Sequence, residues 1–107
     1  MSKVLVVLCN CPDDATAETL AAGLVEERLA ACVNILPPIR SIYRWTGEIQ
    51  RGREVLMIMK TCDDRYEELA SWLQRRHPYE VPEILALEVS AGAGDYVNWV
   101  LNETKNS

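Results

Sequence analysis

Two short stretches hold the side chains best suited to chemistry. VLCNCPD places Cys9 and Cys11 two residues apart, and RRHPYEVPEI contains His77, the only histidine of the chain. A thiolate and a neutral imidazole brought together suit a borderline or soft metal such as copper or zinc. His77 also precedes a proline, which pushes it out of helical geometry, so it serves equally well to end a helix near the negative end of its dipole. A third reading makes Cys9 a nucleophile and His77 its base, although no orienting acid or oxyanion-binding feature accompanies them. The four cysteines, Cys9, Cys11, Cys32 and Cys62, form no C-x-x-C pair. Reduced thiols are the expectation, with Cys32 and Cys62 as small buried hydrophobes.

Two further pairs stand out. Tyr43 and Trp45 are i and i+2 in a β-rich stretch, so they project to one face as interface packing or as a platform for a ligand. Glu54 and Lys60 flank the apolar run VLMIM with the same parity and share a face, either as solvated strand ends or in an ion pair between subunits.

A chain of 107 residues, 49% of them apolar, suits one domain over residues 1–107 with one packed core. The net charge of −5 argues against nucleic acid or an anionic membrane as partner, because phosphate binding needs a basic surface. The longest apolar runs, Val4 to Cys9 and Val55 to Met59, are far shorter than a membrane span, and the N-terminus lacks the pattern of a signal peptide. A cytoplasmic protein is the expectation.

The elements that must position these residues follow from periodicity. KVLVVLCN is a β-branched run and reads as a buried strand from Lys3 to Asn10, stopped by Pro12. From Asp13 to Ala31 an acidic start and the spacing of Ala17, Leu20, Ala21, Leu24 and Val25 predict a helix. Residues 32–61 predict two long antiparallel strands around a turn at WTGE, the first at an edge or bulged where Pro37 and Pro38 cannot donate. A second helix is predicted from Asp63 to Arg76, with Tyr66, Leu69, Ala70 and Leu73 on its inner stripe. VPEILALEVS predicts a fourth strand, and GDYVNWVLNE a short helix capped by Asp95, with Tyr96, Trp99 and Val100 facing inward.

The order β-α-β-β-α-β plus a terminal helix is the ferredoxin-like α+β sandwich, a four-stranded antiparallel sheet in the order 4-1-3-2 with helices on one face. Yet Val4 to Leu8, Val55 to Met59 and Ile84 to Leu87 are apolar on both faces, so something must cover the open side. The terminal helix covers part of it on this reading, and another subunit the rest, with the exposed hairpin edge inviting strand addition. The topology also brings the end of strand one, the end of helix two and the hairpin to one edge. Cys9 and Cys11 should therefore approach His77 and Tyr79.

VVLCNCPD, ERLAACVNILP, SIYRWTGEI, EVLMIMKT and HPYEVPEIL, in that order, resemble the CutA family of divalent-cation tolerance proteins over nearly the whole chain. The resemblance implies a ferredoxin-like fold, a homotrimer built by the long hairpins, cytoplasmic location, no enzymatic activity, and a role in tolerance to copper and other divalent cations. The copper site of the family uses the cysteine closing strand one and two adjacent histidines before Pro-Tyr. Cys9 and His77 match two of these positions, and Arg76 occupies the third, where a permanently protonated guanidinium cannot ligate. Cys11 is a conjectural substitute. An alternative reading is a trimeric signalling or small-molecule-binding module like the PII proteins. Its clefts between subunits would be lined by Cys11, Tyr43, Trp45, Glu54, Lys60, Tyr79 and Glu83.

Overall fold

The computed structural model describes residues 2–105. Strand β1 (Val4–Cys11) and helix α1 (Asp14–Glu26) are followed by β2 (Cys32–Ile35), β3 (Ile39–Trp45) and the long β4 (Glu48–Cys62). A single 3₁₀ turn (Asp63–Arg65) leads into α2 (Tyr66–Arg76), and β5 (Leu85–Glu88) and α3 (Gly94–Glu103) complete the chain. The sheet order is β2-β4-β1-β5, and β3 pairs with the outer half of β4. Counting β2 and β3 as one interrupted strand, this is the predicted 4-1-3-2 arrangement of the ferredoxin-like α+β fold.

The interruption lies at Leu36–Pro38. Two prolines remove two ladder donors, and the strand breaks outright where a bulge was the milder expectation. Beyond the break β3 and β4 form a hairpin whose two-residue loop, Thr46–Gly47, has positive φ at both positions (49° and 82°). That is the requirement of a type I′ turn, whose twist matches the strands it joins.

Helix α1 starts as predicted, with the Asp13 carboxylate accepting the Thr16 N–H at 2.8 Å. It ends five residues earlier than its composition suggests. Arg28 takes a left-handed conformation (φ 59°), and the Arg28 and Leu29 amides turn back to the carbonyls of Val25 and Leu24. This is a Schellman stop without its usual glycine, so nothing in the sequence marks it. The guanidinium of buried Arg65 serves the exposed carbonyls, donating to Glu27 O and Arg28 O, each at 3.3 Å, while it pairs with Glu68 at 2.9 Å.

The core lies between the helices and the odd-numbered face of β1 and β4. Val7, Cys9, Cys11, Met57 and Met59 are all fully buried there against Leu20, Leu24, Leu69 and Leu73. Gly23 permits the helices to meet, since a Cβ at that position would lie 2.7 Å from the Trp72 ring. On the even-numbered face, Val6, Leu8, Leu56 and Ile58 are half-buried, and Leu85 and Leu87 of β5 are exposed. Helix α3 covers one end of this face, packing Val100 on Val4 and Ala31. Three local expectations are corrected here. The fourth strand is confined to Leu85–Glu88. Ala93 precedes α3 without a side-chain cap, and Asp95 stands within the first turn. Tyr96 and Trp99 remain substantially exposed, and the inner stripe is Val97, Val100 and Leu101.

Candidate functional site

The end of β1 supplies the first wall of the site. Alternation along the strand points Cys9 and Cys11 to the helix side, where both are fully buried, and turns Asn10 to the other side. The second wall is the stop of α2. The capping residue after Arg76, His77, has extended backbone (ψ 138°), as the following proline requires, and its ring is buried. The ligand-capable atoms of Cys9, Cys11 and His77 all lie within 4.8 Å of one another. The sequence reading brought Cys9 and Cys11 toward His77, and the structure has all three side chains in one cluster.

Both ring nitrogens of His77 are engaged. The Tyr79 amide donates to Nδ1 at 3.1 Å, so the ring proton is on Nε2, which donates to the Asn10 carbonyl at 2.7 Å. The two cysteine sulfurs interact, the Cys9 thiol donating toward Cys11. That contact, then burial, pushes the Cys9 thiol up, and accepting the bond holds Cys11 below the ordinary thiol range. Two sulfurs and an imidazole are the donor set of copper or zinc. An ion taking Nδ1 would replace the Tyr79 amide and keep the Nε2–H···O=C bond that orients the ring. Arg76 takes no part: its guanidinium stacks over the Trp72 ring at 4.3 Å.

On the opposite side of the sheet a groove of about 690 Å³ runs along the base of the hairpin. Tyr43, Trp45, Glu54, Tyr79 and Glu83, five of the seven residues assigned to a cleft between subunits, line this groove of the single chain. The structure does not bring the other two cleft candidates there. Cys11 faces the core, and Lys60 lies near the far end of β4, donating to Asn34 Oδ1 and to Cys32 Sγ at 3.7 Å. Glu54 and Lys60 do share the even-numbered face, each with its own partners. Glu54 accepts the Tyr79 hydroxyl at 2.8 Å and the Asn10 side-chain amide at 3.4 Å. Burial, then the Glu54 carboxylate, pushes the Tyr79 phenol above its usual range. Asn10, which the topology brings to this edge with its two neighbours but to which the sequence reading gave no role, has its side-chain oxygen buried beside the groove with no hydrogen-bond partner among the described residues. Its strand parity was the available signal.

A second grouping that the sequence reading did not single out, Cys62, Asp63 and Asp64, has its atoms equally close. Its members are already occupied by the Thr104 hydroxyl, the Lys3 amide and Ser2. All four cysteines are unbridged thiols, and among the described residues no helix is long and apolar enough to cross a membrane.

Comparison with known proteins agrees on the family and the fold. Residues 5–103 match the family described as CutA1 divalent ion tolerance protein. The divalent-cation tolerance protein CutA of Pectobacterium atrosepticum is 46% identical over 100 residues, spanning 94% of this chain and 91% of that protein. Among solved structures, the divalent cation tolerance protein Cut A1 of Thermus thermophilus superimposes with a TM-score of 0.92 at 44% identity, covering 98% of this chain and all of the other. A structure described as the periplasmic divalent cation tolerance protein CutA of Archaeoglobus fulgidus gives 0.92 at 31% identity, covering 95% and 99% of the two chains.

Proposed function

The chain belongs to the CutA1 family of divalent ion tolerance proteins, and from that premise we propose that it contributes to tolerance by binding copper or a related cation at Cys9 and His77. One observation carries the reading: two buried thiols and a buried imidazole within 4.8 Å of one another, with no carboxylate in the cluster. The ion is exchangeable and the fold independent of it, since the apolar core holds β1 and α2 in place without it. Residues 1–107 act as a single domain without enzymatic activity, in a cytoplasmic homotrimer. The half-covered apolar face of the sheet supports the trimer. The test is a copper titration of the reduced protein beside Cys9→Ser and His77→Ala. Each variant should bind at least about tenfold more weakly, because loss of a ligand costs no less than loss of its orienting partner. Equal affinity in all three would remove these ligands.

The groove favours a second reading, a PII-like module that binds a small molecule between subunits. An aromatic pair, Tyr43 and Trp45, faces Glu54, Glu83 and Tyr79 across about 690 Å³, a volume typical of ligand pockets. A metabolite bound only by the native state must raise its melting temperature, so a thermal-shift screen separates the two readings.

A further inference from the structure

We propose that Cys11 makes the buried cluster a site for monovalent copper, held by the Cys9 and Cys11 sulfurs and one ring nitrogen of His77. The inference rests on the metal-binding reading of that cluster and specifies the ion it takes.

Three observations support it. The first is dimensional. Metal–sulfur bonds of about 2.3 Å and metal–nitrogen bonds of about 2.0 Å give a three-coordinate ion donor–donor edges of about 4 Å. The donors here already lie within 4.8 Å of one another, so each moves by less than an ångström to close on an ion. The second is the character of the donors. Divalent ions such as calcium, magnesium and manganese require carboxylates, carbonyls or waters in sets of six or more, and the cluster offers no carboxylate. Met57, the cross-strand partner of Cys9, is fully buried on the same face of the sheet, so the neighbourhood is rich in sulfur. Thiolate and thioether sulfurs select soft or borderline metals, cuprous copper and zinc among them. The third is the number of donors. Structural zinc takes four protein ligands, and catalytic zinc takes three and an open water position. This chain supplies three ligands in an interior where all three side chains are buried. A low-coordinate soft ion fits that count without a water.

The position of Cys11 makes the proposal separable from the site itself. Cys9 and His77 alone give a two-ligand site of mixed character, and the second sulfur is what excludes harder ions.

The experiment titrates Cu(I) anaerobically into the reduced full-length protein against a chromophoric cuprous chelator, beside Cys9→Ser, His77→Ala, Cys11→Ser and Cys11→Ala. One Cu(I) per chain is expected, and both Cys11 variants should bind at least about tenfold more weakly. X-ray absorption of the wild-type complex needs no variant and should show two sulfur neighbours and one nitrogen. If Cys9→Ser and His77→Ala weaken binding but the Cys11 variants match the wild type, the inference fails and the underlying site stands. If all variants bind equally, the site fails as well. A wild-type spectrum with oxygen neighbours or a single sulfur also overturns the proposal.

Discussion

At the scale of single residues, the meeting of Cys9 with His77 was legible because topology alone brings the end of β1 to the end of α2. The use made of His77 was not. Its two nitrogens bond to the Tyr79 amide and the Asn10 carbonyl, contacts fixed by how the residues after Pro78 turn. Glu54 and Tyr79 were assigned to one cleft, but their direct hydrogen bond went unread, since it depends on how β4 is laid beside β1. That pair has a measurable signature. The Tyr79 phenol is raised above its ordinary range, first by burial and then by the Glu54 carboxylate. A group raised on folding stabilises fully below its unfolded pKa and loses that contribution as pH rises through its folded one. Tyr79→Phe should therefore cost up to about 1 kcal/mol at neutral pH, the partly solvated value of one hydrogen bond to a charge. The cost should shrink as urea melts are taken above pH 10, and a difference constant to alkaline pH would contradict the assignment.

Among the elements, periodicity identified every helix and the hairpin, because their apolar stripes are what the core buries. Boundaries failed where the stop has no sequence marker. Helix α1 ends at a left-handed arginine in a place where glycine is usual, and β5 is shorter than its apolar run because only four of its residues pair with β1. The same physics offers a gain in the hairpin. Thr46 is β-branched and holds φ at 49°, a region that asparagine tolerates far better. Thr46→Asn should raise stability by about 0.5 kcal/mol, a fraction of the roughly 1–3 kcal/mol that such a conformation costs, because asparagine relieves it only in part. The denaturation midpoint should rise with an unchanged slope. A lower midpoint would show that the threonine is not strained.

For the whole molecule, the prediction of an uncovered apolar face holds: α3 screens only one end, leaving Val6, Leu8, Leu56 and Ile58 partly exposed beside Leu85 and Leu87. A trimer closed over this face should sediment as such at micromolar concentration. Ile58→Glu, which places a charge in the middle of the face, should yield a folded monomer, and a wild type that sediments as a monomer removes the trimer. The four hydrogen bonds around Tyr79 matter at this scale as well. His77 to Asn10, Asn10 to Glu54, Glu54 to Tyr79 and Tyr79 back to His77 form a closed circuit whose one side touches the buried sulfurs and whose other side is the groove wall. Freeing Nδ1 opens the circuit at Tyr79. Thermodynamic reciprocity then makes the two faces of the sheet partners: whatever in the groove displaces Tyr79 must alter the affinity for an ion behind it by the same factor that the ion alters the groove.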